Sequence, residues 1–172
     1  RMSGRAAAPI IRPCVPADAP ALRRIFYDAV HTACAGDYTP AQLDAWAPKD
    51  YDPAAWAETL FCRTALAAER DGALLGFGSV GPDGYLDLLY VRPERQGRGI
   101  GAALCDALEG LYPVGRLTVH ASRTARPFFE RRGWRVVRAQ RVERRGQTLE
   151  NFVMEKELTA WMWSPPSPPA PT

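Results

Sequence analysis

The chain has 172 residues, 47% of them hydrophobic and 24% charged; that suffices for one ordinary core, is cramped for two full domains and excludes wholesale disorder. No apolar run approaches the roughly 20 residues a membrane helix needs, and the Arg- and Ala-rich start lacks a secretory-type apolar core, so a cytoplasmic protein with no membrane partner is expected. The formal charge of +3 is unevenly spread, because His31 to Leu60 carries Asp37, Asp44, Asp50, Asp52 and Glu58 against Lys49 alone, whereas Arg92 to Arg145 is dense in arginine.

An acidic stretch can draw a cation and a basic one an anion, although either can also be a solvated face. The arginines are not interleaved with aromatic side chains, so no nucleic-acid partner is expected. Cys14, Cys34, Cys62 and Cys105 lack CxxC spacing and read as thiols rather than as metal ligands or disulfides. No metal is expected.

In chain order, residues 1–8 read as a flexible N-terminus and Ile10 to Cys14 as a short strand. Asp18 is a candidate N-cap for a helix carrying Leu22, Ile25, Phe26, Ala29 and Val30. Thr39-Pro40 and Asp52-Pro53 each set a capping side chain before a proline, which predicts two short helices bearing Leu43, Trp46 and Trp56. Strands over Thr64 to Glu69 and Ala73 to Val80 flank the turn Asp71-Gly72, and a third runs from Tyr85 to Val91 after Pro82-Asp83-Gly84. An amphipathic helix through Ile100, Leu104, Leu108 and Leu111 leads to the strand Leu117 to His120, and a strand–helix–strand crossover implies a parallel pair. A helix over Thr124 to Arg132 stops at Gly133, and strands Trp134 to Val142 and Leu149 to Lys156 flank Arg145-Gly146 as a closing hairpin. Residues 159–172 form a Pro-rich tail set apart from the fold.

The chemistry concentrates in Gln96-Gly97-Arg98-Gly99-Ile100-Gly101, between a strand and a helix. Glycines admit close approach of a ligand, and the free amides at a helix start converge on an anion, so the loop suits a phosphate. Its GxGxG spacing departs from the GxGxxG of dinucleotide sites, and the Gly-Lys-Ser/Thr of a P-loop is absent. A tight turn without a ligand is the plain alternative.

Val91-x-Pro93 with Gln96-x-x-Gly99-x-Gly101 closely resembles the acyl-CoA pyrophosphate loop of the GNAT superfamily of N-acetyltransferases, and Ala121-Ser122-x-x-Ala125-x-x-Phe128-Phe129-x-x-x-Gly133-Trp134 resembles that family's second cofactor-side motif. The resemblance covers Ile10 to Leu158. It implies one α+β domain over residues 9–158, with a mixed, mostly antiparallel seven-stranded sheet flanked by helices, and acetyl-CoA as cosubstrate. By the same resemblance Leu89, Tyr90 and Val91 run beside the pantetheine arm, Gln96, Gly97, Arg98, Gly99, Ile100 and Gly101 hold the pyrophosphate, and Phe128 and Phe129 lie on the cofactor side. Arg92 and Arg95 are further arginines within reach of the phosphates.

The implied reaction is direct acetyl transfer to a primary amine, small molecule or peptide, of cationic character, bound toward the acidic stretch. A homodimer is left open. Where many members carry a tyrosine that protonates the leaving thiolate, this chain has Phe129, which has no proton to give. That substitution keeps a second reading alive, an acyl-CoA-binding sensor with little or no transfer. For the base, Asp87 is the best acidic candidate and His120, at the end of the second splayed strand, the alternative; Tyr38 is a third polar candidate. Each has a plain reading as well, Asp87 as a sheet-edge or hydrogen-bonded residue, His120 as a structural histidine and Tyr38 as packing or surface.

Overall fold

The computed structural model describes residues 8–112 and 115–158. Most of the N-terminal segment and all of the Pro-rich tail distinguished in the sequence lie outside the described residues. The strands are β1 (Ile10–Pro13), β2 (Thr64–Arg70), β3 (Ala73–Val80), β4 (Tyr85–Val91), β5 (Arg116–Ser122), β6 (Arg135–Arg144) and β7 (Gln147–Glu157). The helices are α1 (Ala19–Ala33), α2 (Pro40–Trp46), α3 (Pro53–Phe61), α4 (Ile100–Glu109) and α5 (Arg126–Arg131). The strands form one seven-stranded sheet in the order β1-β2-β3-β4-β5-β7-β6. Among the described residues only β4 and β5 pair in parallel, as the crossover through α4 requires.

Local chemistry accounts for the element ends. Thr39 Oγ1 accepts the Gln42 amide at 3.2 Å while Gln42 Oε1 accepts the Thr39 amide at 2.9 Å, a reciprocal cap with Pro40 in the first turn of α2. Asp52 Oδ1 accepts the Ala54 amide and starts α3. Asp71-Gly72 and Arg145-Gly146 both have positive φ at their two turn residues, the twist that joins antiparallel strands in a two-residue hairpin. Asp18 departs from expectation: it sits at the N-cap of α1 without a side-chain cap bond. Its carboxylate instead accepts the Val15 amide and two bonds from Arg12, so the acid ties the turn before α1 to β1, while the Nε of the same arginine reaches Glu69 on β2. The helix expected over Thr124 to Arg132 shortens to α5, because Ser122 Oγ accepts the Ala125 amide and holds the preceding residues as a turn.

Two apolar layers sit on opposite faces of the sheet. One packs Leu104, Leu108 and Phe129 against Leu86, Leu117 and Met154; the other packs Leu22, Phe26, Leu43 and Leu60 against Phe77 and Leu88. On β3 the α4 side carries Gly76 and Gly78. A Cβ on Gly78 would stand 2.6 Å from Leu108 Cδ1 and 2.8 Å from the Leu88 carbonyl oxygen, so only glycine lets α4 lie this close to the strand. Among the described residues no helix is long and apolar enough to cross a membrane.

Candidate active site

The site begins with one extra residue in β4. Opposite Ser79 and Val80 of β3 stand Leu88 and Leu86, so Asp87 is a bulge with no partner of its own. The bulge re-phases the strand: Leu86 packs in the α4 layer, and Leu88, two residues on, packs in the opposite layer. The parallel pairing of β4 with β5 ends there, after Tyr85–Thr118 and Leu86–Val119, whereas β5 stays paired to β7 as far as Ser122–Asn151. The two strands part. Because the Arg92 amide donates to Leu75 of β3, strand alternation turns the backbone groups of Leu89 and Val91 away from β3, to the parted edge.

The start of α4 faces the same opening. Gly97 and Gly99 have φ of +73° and +81°, a region glycine enters freely, and a Cβ on either would meet no atom within 4 Å. The first amide of the helix with a backbone acceptor is that of Ala103, which donates to the Gly99 carbonyl; those of Gly99, Ile100, Gly101 and Ala102 have none among the described residues. Four free N–H groups at the positive end of a helix dipole make an anion cradle.

A cavity of about 510 Å³ follows this opening, bordered by Leu89, Tyr90, Val91, Gln96, Gly97, Gly99, Ile100, Gly101, Phe128 and Phe129. Of the cofactor-side residues named from the sequence, Arg98 does not border it; Arg95 and Arg131 do. Arg92 is occupied, its Nε donating to the Leu74 carbonyl and its Nη1 lying 3.7 Å from Glu94. Phe129 is buried with its ring edge-on to Trp134 and Phe128.

A second cavity, of about 520 Å³, lies on the other side of the bulge. Trp46, Asp87, Tyr90, His120 and Ser122 border both, so the two meet at Asp87 and His120. Burial raises the Asp87 pKa against the opposing pull of Arg63, whose Nη1 is 3.2 Å from Oδ2, and of His120 and Arg144. Burial lowers the His120 pKa, helped by Arg138 and opposed by Asp87; its Nδ1 is 3.4 Å from the Tyr85 hydroxyl. Each shift favours the neutral form, so burial makes the Asp87 carboxylate a stronger proton acceptor than an ordinary aspartate and His120 a weaker one than an ordinary histidine, at one opening. Tyr90 packs between Phe26 and Phe77, and burial raises its pKa strongly.

Tyr38 borders only the second cavity. Its hydroxyl donates to the Glu150 carbonyl at 2.6 Å and accepts the Arg123 amide at 3.0 Å, so it is a tie between backbones. The acids of the His31 to Leu60 stretch are mostly elsewhere: Asp37 accepts the Thr124 hydroxyl, Asp44 is exposed beside His31, and Asp52 alone borders the cavity. Arg23, Arg144 and Arg145 border it too, and sequence reasoning passed over them. The legible signal was Arg23 itself, an arginine next to Leu22 and three residues from Phe26 on an apolar helix.

Residues 34–158 match the family model described as the acetyltransferase (GNAT) domain. The chain is 40% identical over 144 residues, 84% of its length and 93% of the relative's, to a protein of Escherichia coli (strain K12) named uncharacterized N-acetyltransferase YafP. A crystal structure from Rhodopseudomonas palustris, described as a GCN5-related N-acetyltransferase (Aminotransferase, Class-II), is similar with a TM-score of 0.83 at 37% identity, over 90% of this chain and 98% of that one. The putative acetyltransferase YncA of Salmonella typhimurium, solved with acetyl-CoA, shares the fold with a TM-score of 0.62 at 19% identity, over 95% of this chain and 99% of that one. With the parted strands, the glycine cradle and these likenesses together, the chain belongs to the GNAT family of acetyltransferases.

Proposed function

We propose that this GNAT acetyltransferase passes the acetyl group of acetyl-CoA directly to a primary amine that arrives as an ammonium cation. One observation carries the reading: the bulge at Asp87 sets a proton acceptor where the two cavities meet. The cofactor-side residues fit CoA, since free amides, two glycines with open space at Cβ and an unpaired strand edge are what a pyrophosphate and a pantetheine amide need. When bound, acetyl-CoA supplies a thioester whose C–S bond breaks as the C–N bond forms, so an ammonium acceptor yields two protons, one to the sulfur and one to solvent.

Within that reading the amides of Gly99 to Ala102 offset the phosphate charge, and Leu89 and Val91 align the pantetheine arm along β4. Asp87 takes the ammonium proton, directly or through water, with His120 as the competing base. Positioning then lowers the barrier without a covalent enzyme intermediate. A thiol of pKa near 8.5 is a tolerable leaving group, so transfer does not require a proton donor at position 129.

Phe129 also favours the second reading, a CoA-binding sensor. Thiol release measured with acetyl-CoA and a panel of primary amines separates them. Release that depends on an amine is the expected result, and CoA binding with no release from any amine supports the sensor.

A further inference from the structure

The second cavity carries an electrostatic imbalance that catalysis does not use. Its three acids all have partners: Asp52 caps α3, Asp87 pairs with Arg63, and Glu150 lies 3.6 Å from Arg123. Its three arginines, Arg23, Arg144 and Arg145, have no carboxylate within 4 Å among the described residues.

Arg23 is the telling one. It is only 5% exposed, yet of its five N–H donors it makes one hydrogen bond among the described residues, from Nη2 to the Pro48 carbonyl at 2.6 Å. Its guanidinium lies over the rings of Tyr51, Phe26 and Trp56, at 4.5, 5.1 and 5.7 Å. Arg145 comes near enough to oppose its charge. Arg145 itself holds a turn position at φ 45°, where asparagine or glycine would sit with less strain, and donates to the Ala45 carbonyl at 2.7 Å. A buried charge without an ionic partner, held beside a second like charge, is costly in the free protein, and an oxyanion in the cavity would offset that cost. Guanidinium groups match carboxylate and phosphate oxygens in pairs.

We infer that the acceptor is a small zwitterionic amine: its ammonium end meets Asp87 and His120, and a carboxylate or phosphate on the same molecule meets Arg23 and Arg145. The inference rests on the proposed amine acetylation for the direction of the ammonium, and the cavity volume suits a small molecule.

Calorimetry on the CoA-loaded protein tests it, with a panel of free amino acids and aminoalkyl phosphates, their amides and their dephosphorylated counterparts. At least one acidic amine is expected to bind at least about 10-fold tighter than its neutral counterpart, and Arg145→Gln and Arg23→Gln to remove that preference while CoA affinity holds. Arg145 lies in a surface hairpin, so its variant keeps the test open should Arg23→Gln fail to fold. Equal binding of neutral and acidic forms, no binding by any acidic amine, or an unchanged preference in Arg145→Gln overturns the proposal. Charge-dependent binding without thiol release upholds the oxyanion site at Arg23 and Arg145 but overturns the transfer reading, and with it the bound amine's role as acceptor.

Discussion

Asp87 is a candidate base by its place in the chain, and that place was legible only in part. Its position inside a strand before the glycine loop marked it as a candidate base, but the bulge that frees it from the ladder depends on how β4 registers against β3. Catalysis needs the unprotonated base, so the chemical step falls as pH drops through the base's pKa in the folded protein. Burial raises the Asp87 pKa, which sets that acidic limb above the ordinary aspartate value; were His120 the base, the limb would sit below the ordinary histidine value. Asp87→Asn is expected to slow the single-turnover step by roughly 100-fold or more and to abolish the limb, with CoA affinity unchanged. If His120→Gln takes the larger loss and the limb with it, the roles are reversed. Tyr38 shows the opposite lesson: a tyrosine ahead of a capped helix is as suggestive in sequence as a histidine, and only the fold reveals both lone pair and proton committed to backbone groups.

Among the elements, the loop and first turn of α4 carry the cofactor-side geometry. Gly99→Val is doubly unfavourable there. At φ +81° a β-branched residue is strained by about 1–3 kcal/mol, and its side chain would occupy the open space in front of the free amides. CoA affinity measured by calorimetry should fall at least about 10-fold, while a circular dichroism melt shows the variant still folded; undiminished affinity would remove the cradle from consideration. This element was readable because its signals are local, three glycines at fixed spacing followed by an amphipathic repeat. What was not readable is the seat of α4 on the sheet, which Gly76 and Gly78 provide from a strand more than twenty residues upstream.

At the scale of the molecule, one carboxylate joins the α4 layer to the distant hairpin. Glu109, only 11% exposed, accepts from Arg132 Nη2 at 3.1 Å, Trp134 Nε1 at 3.1 Å and Lys156 Nζ at 3.2 Å. An acid in the last turn of a helix faces the negative end of its dipole, so these partners must outweigh an unfavourable position. Glu109→Ala leaves the largely buried Lys156 ammonium with no carboxylate within 4 Å among the described residues, while Arg132 keeps Asp106, which costs about 3 kcal/mol and lowers the melting temperature by ~10 °C. A calorimetric melt within a degree or two of the parent would show the cluster to be inert.

The sequence alone determined the order and kind of nearly every element, the two hairpins and the phosphate loop, because each rests on contacts within a few residues: a side chain capping an amide, a turn residue at positive φ, an apolar face repeating every three to four positions. From the same local signals Asp87 and His120 could be named, but not brought together. Only the tertiary structure decided that they share one opening, that Tyr38 is a tie, and that the charge facing the second cavity comes from Arg23, Arg144 and Arg145 rather than from Asp37 and Asp44. The physical reason is range. Burial and charge balance depend on α1, the parted ends of β4 and β5, and the β6–β7 turn meeting across more than a hundred residues of chain, and no local pattern records which side chains meet there.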